Sequence, residues 1–356
     1  MKELTTRERV KLIVEHKEAD RCPIIDNPWP TAIERWEREG MPKGADFQDF
    51  FGMDKYCRWH ICDNSPRYPQ EVVEETNDYI IKKSKWGVTM KNWKHAGSTP
   101  EFIDFTITSR DSWEKAKARM TPSKDRIEWD FLKANYKKNR EAGAWMGLVN
   151  WFGFDVTHSW MVGTERVLMT LIEDPEWMQD MFRAHLELNL SQIKLILDEG
   201  YKFDEVFWYD DMGYKYNQFF SLDMYRELLK PFHKQCIEFA HANGMKAHLH
   251  SCGDVMPFVP DLVGMGLDML NPLEVKAGMD PEKLKKEFGD KLTFMGGLNA
   301  MSYKIPQMMW DEMRHLIPMM KTNGGYIVAT DHSIPDSVSL TQFQEFIRLA
   351  KELGKY

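Results

Sequence analysis

Met245-Lys246-Ala247-His248-Leu249-His250-Ser251-Cys252-Gly253-Asp254 is the stretch on which both the fold and the chemistry turn. Its first part, 245–250, has the short apolar run of a buried β-strand, and the strand leads directly into Ser251-Cys252-Gly253-Asp254. In extended backbone, residues two apart fall on one side, so His250 and Cys252 face a common point at the strand's carboxyl end. Gly253 lets the chain turn away. An imidazole and a thiolate meeting there make a good pair of zinc ligands. Taken alone, a His-x-Cys pair reads more readily as a packed histidine beside a buried thiol.

Outward from this strand, short apolar runs alternate with amphipathic segments from about Ala144 onward, the signature of βα units. Candidate strands are 144–149, 205–210, 245–250, 267–271, 292–295 and 326–330, and 22–26 and about 57–62 bring the set to eight. Helix ends are legible between them. Asp174-Pro175-Glu176 supplies an N-cap, a first-turn proline and an acid suited to the helix dipole, with Gly200 as the stop; Ser221 and Gly244 bracket the next helix. From 72 to 105, β-branched, aromatic and polar residues alternate instead, which predicts an antiparallel excursion outside the barrel covering about 65–108. Helical patterns resume after Ser109. The expected class is α/β, a (β/α)8 TIM barrel with an N-terminal antiparallel β excursion, and residues 1–356 read as a single domain without repeats or a low-complexity linker.

Composition narrows the function. A net charge of −8 without a basic stripe argues against a nucleic-acid partner, since Lys82-Lys83 and Lys137-Lys138 sit among acids and aromatics. No apolar run approaches the roughly 20 residues that span a bilayer, and no signal peptide is recognisable, so no membrane association is expected. Five scattered cysteines do not form the framework of a small secreted fold, and a reducing, cytoplasmic setting is expected. The 13 Trp, 20 Phe, 12 Tyr and 24 Met mostly build a core, with some left to line a pocket.

A third metal ligand must come from another strand end, and Ala329-Thr330-Asp331-His332-Ser333-Ile334-Pro335 supplies His332. Three protein ligands with a fourth position free describe a catalytic zinc site. Asp331 is the alternative ligand or an orienting acceptor for His332, and His248 reads as a barrel-interior residue. Asp210 and Glu274, at strand ends, are candidate catalytic groups; Asn150 and Asp211 are candidate substrate contacts. An N-cap or loop hydrogen bond is the competing reading for each. Trp29, Trp151, Trp208, Tyr209 and Tyr214 are expected to wall a pocket for a flat substrate.

Several ordered motifs now carry a resemblance: Asp210-Asp211-Met212-Gly213-Tyr214, His248-Leu249-His250-Ser251-Cys252-Gly253-Asp254, Asn271-Pro272-Leu273-Glu274-Val275 with Ala277-Gly278-Met279-Asp280, Phe294-Met295-Gly296-Gly297-Leu298, and Asp331-His332-Ser333-Ile334-Pro335. From about Gly147 to near the C-terminus the chain resembles the uroporphyrinogen decarboxylase superfamily, and within it the branch of cobalamin-dependent methyltransferases. The resemblance implies a (β/α)8 barrel and a zinc site made by a His-x-Cys pair and a later Cys. His250 and Cys252 match the pair, and the later position is His332, a departure from the pattern. The Arg-Gln-Ala-Gly-Arg signature that helps true decarboxylases hold tetrapyrrole carboxylates is missing; the corresponding region reads Asp26-Asn27-Pro28-Trp29-Pro30. The implied function is methyl transfer between a small substrate and the cobalt of a cobalamin-type corrinoid carried by a separate corrinoid protein, and the Trp and Tyr expected at the mouth favour an aromatic methyl ether as the donor (O-demethylation). Alternatives are a methylcorrinoid:thiol methyltransferase, then a decarboxylase, then a non-catalytic barrel that binds zinc or a tetrapyrrole. Assembly as a homodimer stays open.

Overall fold

A computed structural model of the chain describes residues 3–95 and 99–356. Strand β1 (Tyr56–Trp59) is followed by a four-stranded antiparallel sheet, β2 (Glu71–Glu75), β3 (Tyr79–Lys83), β4 (Val88–Trp93) and β5 (Glu101–Phe105). This is the expected excursion, of which residues 96–98 lie outside the described residues. The chain continues with β6 (Trp145–Trp151), β7 (Glu205–Tyr209), the small hairpin β8 (Gly213–Tyr214) and β9 (Asn217–Gln218), then β10 (Lys246–His250), β11 (Met269–Asn271), β12 (Thr293–Met295) and β13 (Tyr326–Ile327). Seven of these form one curled sheet in the order β1-β6-β7-β10-β11-β12-β13. Every neighbouring pair in it is parallel.

The eighth position is occupied by the expected stretch 22–26, through single bridges and not a ladder. Ile25 N–H donates to Val328 O at 3.0 Å, and Val328 N–H to Pro23 O at 2.9 Å, on the β13 side. Toward β1, Asp54 N–H donates to Ile24 O at 3.2 Å. Pro23 has no N–H to give, one reason a regular ladder fails here. The strands expected at 57–62 and 326–330 are likewise shorter than their apolar runs.

The helices close as their ends foretell. The Asp174 carboxylate caps the helix Pro175–Asp198 by accepting from Trp177 N–H. Ser221 caps the next helical stretch, but that stretch widens into a π turn at Tyr225–Leu229 before Lys230–Ala242. Pro231, lacking an N–H, interrupts the α-helical ladder at this junction. The excursion is tied to the barrel by apolar packing, with Phe102 against Trp160 at 5.6 Å between ring centres.

Strand alternation divides the side chains between two layers. From β1, Trp59 points outward onto Phe131 and Phe203. Tyr56 points inward and, with Trp145 and His248, bonds the buried carboxylate of Glu205. His248 is therefore an interior barrel residue. Gly147 is required beneath this network, because a Cβ there would lie 2.6 Å from the Glu205 side chain.

Candidate active site

At the carboxyl end of β10 the alternation puts His250 and Cys252 together, with His250 Nε2 3.3 Å from Cys252 Sγ. A third donor arrives from β7. Phe207, Tyr209 and Asp211 share a side, and the pairing of Tyr209 with His250 sets that side beside the pair. Asp211 Oδ1 lies 3.8 Å from His250 Nε2 and accepts from Cys252 N–H at 2.7 Å. Among the described residues, Asp211, His250 and Cys252 form a group that could hold a metal ion, their ligand atoms within 4.8 Å of one another. Gly253 makes the arrangement feasible. Its φ is +80°, and a Cβ there would fall 2.1 Å from the Gly213 carbonyl carbon, so the hairpin backbone packs directly on this turn.

Burial and mutual repulsion disfavour the charged forms of these groups. Burial pushes the Cys252 thiol well up, and the carboxylates of Asp211 and Glu274 push it further. Burial also raises Asp211 to about 6, with Asp210 and Glu274 adding to the rise. The neighbouring carboxyl of Asp155 is raised by burial and then by Asp211. Burial lowers His250 to about 3, with Arg58 contributing, so its imidazole is neutral and ready to ligate. A nitrogen, a sulfur and an oxygen donor suit zinc, and three of them leave a position open. Asn271, opposite His250 on β11, meets His250 Nδ1 at 3.1 Å and fixes the ring from behind.

The group faces a cavity of about 670 Å³ whose walls include Trp29, Arg58, His60, Tyr209 and His332. Trp29 and Tyr209 are thus wall residues, as the sequence suggested. His60 stacks on Tyr209 at 5.9 Å and 21°.

Other expected residues stand elsewhere. His332 is on the cavity wall with its ring 6.0 Å from that of Trp29, outside the converging donors, so the third donor by distance is Asp211 and not His332. The path of the loop explains this. Asp331 accepts from Val275 N–H and Ala300 N–H, and Thr330 Oγ1 donates to the His332 carbonyl at 2.7 Å, which commits Asp331 to holding loops together. Asp210, expected to be catalytic, has the outward parity of Trp208. Its buried carboxylate bonds His233 Nε2 and Asp155 N–H, both at 2.7 Å, in the helix layer. Trp208, expected on the pocket wall, is fully buried behind the sheet and stacks on Phe152. Asn150 pairs in register with Trp208, shares its outward side and is likewise buried away from the cavity.

Trp151 stands behind Tyr209, at 6.4 Å between rings, and its Nε1–H donates to Asp155 at 2.7 Å. Tyr214 is 42% exposed on the hairpin, against Phe219. The Glu274 carboxylate accepts from Gly253 N–H at 2.7 Å and meets Lys276 at 3.3 Å, which places it beside Cys252 as a support for the turn. Arg58 and His60 were not singled out from the sequence. Alternation through the strand expected at 57–62 carries the signal, since it sets 58 and 60 on one face with Tyr56.

Comparison with known proteins follows the same lines. Residues 156–353 match the model of the family described as Uroporphyrinogen decarboxylase (URO-D). Among solved structures, a methyltransferase from Methanosarcina mazei matches with a TM-score of 0.64 at 15% identity, covering 98% of this chain and 99% of that one. That likeness shows the shared fold. A chitinase from Chromobacterium violaceum has a TM-score of 0.38 at 8% identity, covering 92% and 98% of the two chains. No curated protein matches the chain.

Proposed function

Because this chain belongs to the uroporphyrinogen decarboxylase family, we propose that it is a zinc-dependent methyltransferase, moving the methyl group of an aromatic methyl ether to the cobalt of a corrinoid carried by a separate protein. The observation that carries the reading is the convergence of Asp211, His250 and Cys252, the last two lining an aromatic-walled cavity, at the carboxyl ends of the barrel strands.

Asp211, His250 and Cys252 would hold the zinc ion, which when bound would supply Lewis acidity to an ether oxygen and to the phenolate it becomes. The remaining work belongs to the chain. Displacement at a methyl carbon needs nucleophile, carbon and leaving atom in line, so Trp29 and Tyr209 hold the ring and leave the methyl toward the open mouth. Asn271 keeps His250 turned to the donors, and Glu274 and Asp211 hold the Gly253 and Cys252 amides so that the thiolate cannot swing away. Decarboxylation of a tetrapyrrole is less well supported. Asp26, in the segment that lacks the arginine signature, spends its oxygens on Thr330 and Asn27.

The test is direct. Purified protein, a reduced corrinoid protein and a panel of methoxyaromatics should give the absorption change of cobalt methylation, lost on chelation and restored by zinc. Methylation of a thiol from methylcorrinoid, with no ether active, would move the assignment to thiol methyl transfer.

A further inference from the structure

Among the residues that line the cavity, one guanidinium has hydrogen-bonding capacity to spare. Three carboxylates stand on its wall, and each is already supplied with donors: Asp26 by Thr330 and Asn27, Asp331 by Val275 and Ala300, Asp46 by Gln48, Asp49 and Lys55. The guanidinium of Arg58 differs. Its Nε is buried without a hydrogen-bond partner, one Nη reaches the weak thioether acceptor of Met295 at 3.4 Å, and the Tyr56 hydroxyl is its other side-chain neighbour. Its ion-pair partner, Glu205 Oε1, stands 3.8 Å from Nε, beyond hydrogen-bond distance. The other oxygen of that carboxylate serves Tyr56, Trp145 and His248, and the Tyr56 hydroxyl beside the guanidinium donates to Glu205.

The guanidinium is held in place with donors left over. It lies 3.9 Å over the centre of the Phe207 ring and 4.9 Å from that of Tyr56. The other basic side chains on the wall, His60, His250 and His332, are imidazoles, of which His250 belongs to the donor group and His60 is stacked on Tyr209. A guanidinium fixed in orientation, with donors left over on a cavity wall, is prepared for a planar anion.

We propose that Arg58 is the anion receptor of this cavity and selects aromatic acids, its guanidinium taking a ring carboxylate while Tyr209 and Trp29 flank the ring. That the acid is also the methyl donor rests on the methyl-transfer reading; the binding preference does not.

The experiment uses the zinc-loaded full-length protein and two probes of nearly equal shape, 4-methoxybenzoate and neutral 4-methoxybenzamide, titrated calorimetrically. The wild type should bind the acid at least about tenfold more tightly than the amide, Arg58→Met should abolish the preference, and Arg58→Lys should keep part of it. Equal affinities in the wild type, no binding of the acid, or a preference unchanged in a folded Arg58→Met would overturn the assignment. Should Arg58→Met fail to fold, Arg58→Lys decides: an acid preference equal to that of the wild type would overturn the assignment. A protein that prefers the acid yet methylates no corrinoid would sink the methyl-transfer reading and leave the anion receptor standing.

Discussion

Asp210 and Asp211 are neighbours in the chain and face opposite sides of the barrel wall. Asp210 holds His233 at 2.7 Å in the helix layer, and Asp211 takes the Cys252 amide at 2.7 Å at the mouth. Their near-identical chemistry is therefore split between support and site, and the split can be measured.

Asp211→Asn should lose zinc, because an amide is a poor replacement for a carboxylate ligand, while the fold is retained. Asp210→Asn should keep zinc stoichiometry and instead lower stability by about 2 kcal/mol, as expected when a buried charged hydrogen bond is weakened. Metal analysis and urea unfolding of both variants read the difference. Loss of metal in Asp210→Asn alone would reverse the two roles.

Cys252→Ala should reduce bound zinc at least about tenfold and abolish turnover, with a circular dichroism spectrum like that of the wild type. Cys252 sits at a strand exit, half-buried, so its loss leaves the core intact. A zinc-replete, active Cys252→Ala protein would remove the metal mechanism.

The unloaded protein should show the strain of the acidic group in its pH dependence. Asp211 is raised to about 6 in the fold, against about 3.9 in an unfolded chain. A raised carboxyl favours the folded state most below its unfolded value, and that advantage is lost as pH rises through about 6. Between pH 4 and 7, metal-free Asp211→Asn should thus gain about 1–2 kcal/mol relative to metal-free wild type, a figure discounted because the Asp211 side chain is 34% exposed. Chemical unfolding of both proteins across this window checks the sign. Zinc should remove the difference in the wild type's favour.

Asn271→Leu should weaken zinc by about tenfold to a hundredfold, the usual effect of losing a residue that orients a ligating imidazole. Competition with a chromophoric chelator measures it. An unchanged affinity would show that His250 needs no support from behind.

Much of this was legible in the linear pattern. The alternation at 245–252 put His250 and Cys252 on one side, the runs after 144 located the parallel strands, Asp174 and Ser221 marked helix starts, and the pattern from 72 to 105 marked the antiparallel sheet. All of these depend on residues near one another in the chain, where backbone period alone decides which side a group takes. The third donor does not depend on local period. Whether Asp210 or Asp211 enters the mouth follows from the pairing of β7 with β10, and His332 is turned to Trp29 by a loop that Val275 and Ala300 hold through Asp331. Arg58 reaches the same cavity from a strand almost 200 residues earlier than His250, and only barrel closure brings them together. Sequence alone determined the sidedness of each strand; the tertiary structure decided which sides meet, because convergence depends on register and loop path between segments far apart in the chain.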